Sequence, residues 1–250
     1  MVHSHLMKIG FQRTSEDSNI YLKSEGDKIL VSEVFVDDVI FGGNDDMRDD
    51  FANEMKTEFE MSLVGEIKFF INLQIQQMKS GIFITQSKYV KEVLKTFRMS
   101  ECKLVGTPMV TSCKLSKEDD VATVDEKEYR SMIGKLHYVV HSKLDIAHAV
   151  GLVATFQKNP KVTRLIATKR IFRYLKGTID YGLWYTYAGN FDLKVYADAD
   201  WAGNFDYRKR TIDGAFFLGG RLVSWCSKKQ SCISQSTTEA EYVAAYINCT

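Results

Sequence analysis

Two strand-like runs of apolar residues stand near the start of the chain. Residues 20–24 and 29–43 are predicted to be β-strands, and the second run is rich in Val, Ile and Phe, which is typical of strands. The second run is broken by two adjacent carboxylates, Asp37 and Asp38. Two strands flanking a two-residue turn would place both carboxylates at the tip of a hairpin.

A helix is predicted directly after this run. Asp45 and Asp46 suit a first helical turn, because negative charge is favourable at the positive end of the helix dipole. Phe51, Met55 and Phe59 recur every four residues and would form one apolar stripe.

The next segment predicts two strands and a helix. Residues 68–78 are predicted to be a strand, in which Ile71, Leu73 and Ile75 alternate with polar residues and indicate a sheet with one face in water. Residues 81–86 are expected to pair with them through a turn. Residues 87–97 carry apolar positions at helical spacing, with Ser87 as the predicted N-cap.

The remainder is predicted to be helical first and strand-rich afterwards. Residues 101–124 are polar and irregular and are predicted to be a linker. Two or three helices are predicted over 125–157 and 161–176. Strands follow from residue 191, and a final helix starts in the Ser/Thr cluster 234–238. These elements predict a fold of the α+β class.

Composition and charge narrow the class of protein. The 250 residues, 45% of them apolar, are enough for one large or two modest packed domains. The net charge of +1 indicates no particular partner, but residues 158–176 carry seven bases and no acid. Charge segregated in this way can orient a polyanion such as a nucleic acid.

Cysteine usage and hydropathy predict an intracellular protein. The five cysteines form no Cys-x-x-Cys pair and are odd in number, which favours reduced thiols. No stretch approaches the roughly 18 consecutive apolar residues of a membrane span, and the N-terminus lacks a secretory signal. Whether the protein is cytoplasmic or nuclear is left open.

Two interpretations of Asp37-Asp38 follow from the residues alone. The first is a solvated turn between edge strands, although Asp-Asp is a poorer hairpin turn than Asn-Gly or Asp-Gly. The second is a magnesium site, because adjacent carboxylates relieve their mutual repulsion when a hard cation sits between them. Spacing alone favours the turn, since short motifs produce many false matches.

A resemblance that runs through nearly the whole chain changes this balance. Phe35-Val-Asp-Asp resembles the Tyr-x-Asp-Asp box of reverse transcriptases, with Phe where that family usually has Tyr. The chain is similar, segment by segment and in one order, to copia-type retrotransposon Pol polyproteins. The stretches that carry this resemblance are FVDDVIFGGND, GEIKFFINLQIQQMKSGIFITQSKYVKEVLKTFRM, MIGKLHYVV, DIAHAVGLVATFQKNP, RIFRYLKGTIDYGLWY, VYADADWAGNFDYRKRTIDGAFFLGGRLVSWCSKKQ and STTEAEYVAA.

The resemblance implies four segments. These would be a partial reverse transcriptase palm with the thumb entry over 1–100, a linker over 101–124, a helical thumb and connection over 125–189, and the first half of a ribonuclease H-like α/β domain over 190–250. The family's activities are RNA-directed DNA synthesis and cleavage of RNA in RNA–DNA hybrids. Both use Mg²⁺, with Mn²⁺ as an alternative, and the implied partners are an RNA template, a DNA primer and their hybrid.

The resemblance implies catalytic and metal-binding roles for four acids. Asp37 and Asp38 match the polymerase pair, and Asp198 and Glu241 match the first two acids of ribonuclease H. Asp200 and Glu239 are weaker neighbours. For both glutamates, the alternative from the residues alone is helix-start chemistry, in which acids favour the dipole and complete a capping box.

Basic residues are the candidates for contact with nucleic acid. Leu165, Phe172 and Leu175 are expected to pack inward on a helix, with Lys169, Arg173 and Lys176 facing water. The functional interpretation is phosphate contact, and the alternative is a solvated helix face. A second basic group lies between two predicted strands, where an ordinary loop is the simpler interpretation. The residues assigned to nucleic-acid binding are Lys169, Arg170, Arg173, Lys176, Arg208 and Lys209.

The family places a third polymerase acid upstream of the residues present here and further ribonuclease H acids downstream. We therefore expect this chain to be catalytically incomplete by itself. Two alternatives to an enzyme fragment remain from the sequence: a nucleic-acid-binding module without catalysis, and an inert retroelement remnant. The oligomeric state is not predicted.

Overall fold

The computed structural model describes residues 2–110, 115, 120–199, 211–230, 234 and 236–249. The chain divides into two compact units, Met1–Glu66 and Ile67–Thr250, and each is described by itself. Over the described residues the fold is mixed, with antiparallel sheets and seven α-helices, in agreement with the predicted α+β class. In the part of the chain that the structure describes, no helix is long and apolar enough to cross a membrane.

The first unit is a four-stranded antiparallel sheet packed against two helices. The predicted stripe of the second helix is confirmed, because Phe51 and Met55 are buried and Phe59 packs beside them. Leu30 from the sheet and Leu6 from the first helix complete this core. Its elements are α1 (Val2–Lys8), β1 (Gln12–Arg13), β2 (Ile20–Glu25), β3 (Lys28–Phe35), β4 (Asp38–Gly43) and α2 (Asp45–Glu58), with strand order β1-β2-β3-β4.

The helices of the second unit enclose the largest core among the described residues. Aliphatic and aromatic side chains from four helices meet there, including the fully buried Tyr129, Leu136 and Phe172. The inward packing of Phe172 and Leu175 is confirmed, and Leu165 lies partly buried at the margin. The helices are α3 (Ser87–Thr96), α4 (Glu126–Val140), α5 (Ala147–Ala154) and α6 (Val162–Gly177), with a short 3-10 helix (Leu144–Ile146) before α5.

The N-cap prediction for α3 was wrong. Gln86 holds the N-cap position without a side-chain cap, and Ser87 is the first helical residue. The Ser87 hydroxyl instead donates to the Ile179 carbonyl at 3.1 Å. A long-range contact has therefore replaced the local cap that the sequence favoured.

A second four-stranded sheet contains a strand that the sequence did not predict. The run 68–78 is split because Ile71 and Asn72 adopt positive φ angles of 45° and 58°. The unpredicted strand lies inside the segment expected to be helical, and it pairs with a strand about 100 residues earlier. The strands are β5 (Phe69–Phe70), β6 (Leu73–Met78), β7 (Gly81–Thr85) and β8 (Gly182–Thr186), in that order across the sheet.

The last part of the chain is a three-stranded antiparallel sheet with one helix on it. The order β11-β10-β9 makes β9 an edge strand among the described residues. Ala240 and Ala244 of the helix pack against Ala199 and Ile212 of the sheet. The elements are β9 (Leu193–Ala199), β10 (Thr211–Leu218), β11 (Arg221–Lys229) and α7 (Thr237–Cys249), as the sequence predicted in outline.

Candidate functional site

The hairpin of β3 and β4 presents the Asp37-Asp38 pair. Phe35 pairs with Asp38 across the two strands, so Val36 and Asp37 form the two-residue turn. The predicted hairpin is present, but only Asp37 is a turn residue, and Asp38 is the first residue of β4. Both carboxylates are exposed to solvent.

The backbone at this turn adopts a conformation that valine rarely takes. Val36 has a φ angle of 54°, and its side chain is 82% exposed. Two-residue hairpin turns favour positive φ, which is why Asn and Gly dominate them. A β-branched residue there costs on the order of 1–3 kcal/mol, and such strain clusters at functional sites. The turn thus carries an energetic cost that its own side chains do not explain.

The donor chemistry at this turn fits a hard cation in part. Adjacent carboxylates supply the oxygen ligands that Mg²⁺ prefers. Over the residues that the structure describes, however, no group of three or more His, Cys, Asp or Glu side chains could hold a metal ion. Asp37 and Asp38 therefore provide two carboxylates of a larger coordination shell.

Asp198 lies near the end of β9 and is exposed. Its cross-strand partner is Asp213 on β10, and paired residues of an antiparallel sheet point to the same face. Ala199, the next residue, packs against α7. Because successive side chains alternate between faces, Asp198 points to the face that α7 does not cover. Asp200 lies outside the described residues.

Glu241 lies on α7 with its side chain in solvent. The neighbouring Ala240 is buried against the sheet, so the helix presents alanines, not Glu241, to β9. Asp198 points away from α7 and Glu241 points into solvent, so the structure does not bring these two carboxylates together. Glu239 donates its backbone N–H to the Ser236 hydroxyl at 3.0 Å, which is the capping chemistry expected at a helix start.

One acidic contact in this region was missed by the sequence reasoning. Asp213 accepts a hydrogen bond from His148 on α5, with 3.1 Å between Nδ1 and Oδ2. Burial raises the pKa of the Asp213 carboxyl, but the bond to His148 helps outweigh it, and the net pKa is lowered. In the sequence, the only signal for this contact was the acidic side chain of Asp213 in a predicted strand.

The basic residues of α6 are engaged by another part of the chain. Residues 102–107 run along the helix and accept hydrogen bonds from three of its cations. Arg173 and Lys176 are half-buried and bonded to this segment, so they face water only in part. The bonds join Arg170 Nη2 to Thr107 Oγ1 at 2.8 Å, Arg173 Nε to the Lys103 carbonyl at 2.7 Å, and Lys176 Nζ to the Cys102 carbonyl at 3.0 Å.

The other basic candidates are placed differently. Within the described residues, Lys169 makes no hydrogen bond to this segment. Lys169 is half-buried on α6. Its contact with phosphate stays a prediction. Arg208 and Lys209 lie outside the described residues.

Comparison with known proteins identifies the class. The profile of the family described as reverse transcriptase (RNA-dependent DNA polymerase) matches residues 1–111. The chain is 33% identical over 242 residues to the "Retrovirus-related Pol polyprotein from transposon RE1" of Arabidopsis thaliana, covering 96% of this chain and 16% of that protein. It is 36% identical over 249 residues to the corresponding polyprotein from transposon TNT 1-94 of Nicotiana tabacum, covering 94% of this chain and 18% of that protein.

A shorter relative aligns with this chain over most of its own length. The chain is 32% identical over 213 residues to an uncharacterized mitochondrial protein of Arabidopsis thaliana, with 84% of this chain and 88% of that protein aligned. No solved structure matches the chain. The first relatives are much longer than this chain, which spans about 16–18% of the Pol polyproteins it matches.

These findings agree with the resemblance in the sequence. A reverse transcriptase domain occupies the part of the chain that contains the Asp37-Asp38 hairpin. The chain belongs to the Pol polyprotein family of copia-type retrotransposons.

Proposed function

We propose that this chain is the late palm, thumb and connection of a retrotransposon reverse transcriptase, continuing into the start of a ribonuclease H domain. The observation that carries the proposal is the exposed Asp37-Asp38 pair on a strained hairpin tip inside a reverse transcriptase domain. The reaction class is phosphoryl transfer, with an RNA template and a DNA primer as substrates.

In this proposal Asp37 and Asp38 are metal ligands. Their carboxylates belong to consecutive residues, one in the turn and one at the start of β4, and both are exposed. We expect both to face a cation placed beyond the tip. A magnesium ion held there would supply electrostatic stabilisation of the charge that develops on phosphoryl oxygens. The strained turn would hold the carboxylates in place before substrate arrives.

The ribonuclease H assignment of the last segment is supported by topology and motif. Three antiparallel strands followed by a helix match the expected order, and Asp198 lies on the first of these strands. Asp198 and Glu241 remain the proposed acids of this site. Their convergence would need a different placement of α7 or a bridging cation beyond the sheet edge, because α7 covers the opposite face.

We propose further that these 250 residues are a poor catalyst alone. Two carboxylates give weak and exchangeable metal binding, since Mg²⁺ takes near-octahedral coordination with several ligands. No third His, Cys, Asp or Glu side chain joins them in the described part of the chain.

Manganese titration of the whole chain, followed by electron paramagnetic resonance, tests the metal site. The double variant Asp37→Asn/Asp38→Asn is expected to lose the binding that wild type shows. Asp49→Asn/Asp50→Asn is the matched control, because these two acids are also adjacent and exposed but lie on helix α2. Equal binding by wild type and the hairpin variant would refute Asp37 and Asp38 as ligands.

Primer extension tests the reaction class. An oligo-dT primer on poly-rA, with Mg²⁺ or Mn²⁺, should show at most slow extension by the 250-residue chain. Any extension is expected to disappear in the hairpin variant and to survive in the helix control. Robust turnover by the hairpin variant would contradict the assignment.

A nucleic-acid-binding role without catalysis is the second candidate. It rests on the cations of α6, of which Lys169 is not committed to residues 102–107 among the described contacts. Binding that falls steeply with salt and survives loss of Asp37 would favour this candidate.

A further inference from the structure

Arg221, the first residue of β11, forms hydrogen bonds to the chain segment that joins β8 to β9. Its guanidinium donates to four backbone carbonyls and is only 9% exposed. The acceptors belong to both sides of the junction between the second and third sheets. The bonds run from Nε to Thr186 at 2.5 Å, from Nη2 to Ala188 at 2.7 Å, and from Nη1 to Asn190 and Leu218 at 3.4 Å each.

The surrounding backbone is shaped to accept this side chain. Gly219 has a φ angle of 59°, and a Cβ there would collide with the Asn190 carbonyl and the Arg221 guanidinium. Its N–H donates to the Asp192 carbonyl at 2.9 Å. The β10–β11 turn therefore lies directly against residues 190–192, with no room for a side chain between them.

The other end of the junction is fixed to the second sheet. The Thr186 hydroxyl and the Tyr187 N–H both donate to the Ser80 carbonyl, at 3.2 and 3.0 Å. Ser80 lies in the turn between β6 and β7. Residues 186–192 are thus held on one side by that turn and on the other side by Arg221.

Two contacts on another part of the third sheet also hold it in place, by joining it to helices. Trp225 Nε1 donates to the Val140 carbonyl at the end of α4, at 3.1 Å, and Asp213 binds His148 of α5. The third sheet is therefore joined to the helices and to the second sheet at separate points within one compact unit.

We propose that Arg221 is a positioning residue that fixes the third sheet, with Asp198, to the end of β8 in the second sheet. Arginine suits this role because its planar guanidinium presents five donors in a rigid arrangement, whereas lysine offers a single flexible ammonium. Residues 187–192 are then a rigid connection and not a flexible tether. If the proposed function holds, this connection would keep Asp198 at a fixed position relative to the second sheet.

Amide hydrogen exchange on the whole chain tests this role. In Arg221→Ala, exchange of the amides in 187–192 is expected to rise at least tenfold, while amides in α4 and α6 keep the wild-type rate. Arg221→Lys should give an intermediate increase, because it can satisfy only some of the four carbonyls. Lys228→Ala is the matched control, since this exposed cation lies on the same strand.

Two results would overturn the proposal. One is exchange in 187–192 that is the same in Arg221→Ala and Lys228→Ala. The other is a uniform increase along the chain in both Arg221→Ala and Arg221→Lys, which would mean that Arg221 serves general stability. Because the experiment uses neither metal nor nucleic acid, its outcome is independent of whether the proposed activity is found.

Discussion

Asp198 lies directly across from Asp213 on the neighbouring strand, on the sheet face that α7 leaves uncovered. Like charges placed opposite each other on a sheet are destabilising. Asp213 is compensated by His148, whereas Asp198 is exposed at the sheet edge. The arrangement concentrates negative charge where the ribonuclease H resemblance places its first acid.

The first prediction concerns this pair. Asp198→Asn should raise the free energy of unfolding slightly, by up to about 1 kcal/mol, because it removes the cross-strand repulsion. Asp213→Asn should lower it by less than about 1 kcal/mol, since the His148 contact is partly exposed. Urea denaturation at neutral pH measures both. Destabilisation by Asp198→Asn would contradict the proposed repulsion.

The effect of Asp213→Asn should also depend on pH. The pKa of Asp213 is lowered in the folded state. The ionised carboxylate therefore makes its full contribution to the free energy of unfolding above the ordinary carboxyl pKa. It is lost as the pH falls through the lowered value. The difference between wild type and Asp213→Asn should therefore shrink below about pH 4, where the ordinary carboxyl protonates.

The second prediction concerns Lys143, a lysine that is only 2% exposed. Its ammonium donates to the carbonyls of Thr178 and Tyr181, at 2.6 and 3.0 Å, beside the end of α6. Lys143→Met would leave these carbonyls without their donor and should cost roughly 1–3 kcal/mol of stability. Thermal and urea unfolding measure the loss, and unchanged stability would refute the structural role of this contact.

Burial lowers the pKa of Lys143 below its ordinary value near 10.5. In the pH range between the lowered and the ordinary pKa, the unfolded chain binds more protons than the folded chain, so stability rises with pH. That rise should be present in wild type and absent in Lys143→Met. Comparing the two proteins cancels the titration of the other lysines and tyrosines.

The third prediction separates the two roles of the α6 cations. Arg173→Ala removes the bond to the Lys103 carbonyl, so amide exchange and proteolysis should increase within residues 102–107. Lys169→Ala should leave this segment unchanged but weaken nucleic-acid binding and reduce its salt dependence by about one unit of slope. Equal loss of nucleic-acid affinity in both variants would assign both residues to phosphate contact.

The fourth prediction tests the strand that sequence reasoning missed. A Cβ at Gly182 would collide with the Ile84 carbonyl and press on the Phe83 ring, so Gly182→Ala should disrupt the pairing of β7 with β8. Loss of at least about 1 kcal/mol is expected. Gly134→Ala is the control: it lies in exposed helix with open space around it and should stabilise by about 0.5–1 kcal/mol. Equal effects in the two variants would contradict the close approach.

Local pattern was sufficient for most individual elements. The stripe of Phe51 and Met55 specified α2, because burial of one helix face needs only the 3.6-residue period. The interruption at Asp37-Asp38 indicated a hairpin, because ionised carboxylates are rarely buried in an apolar strand. Only Asp37 lies in the turn, however, and Asp38 begins β4 at an exposed position. The motifs around these residues and around Asp198 were enough to indicate the family.

Tertiary structure alone decided which side chains meet. Strand β8 could not be recognised without its partner β7, and Ser87 exchanged a local cap for the distant Ile179 carbonyl. The resemblance assigned Asp198 and Glu241 to one metal site, but the packing of Ala199 against α7 turns Asp198 to the other face. Short-range periodicity is fixed by the geometry of a single helix or strand. Pairing across the chain depends on how separate elements pack, and no local spacing encodes that.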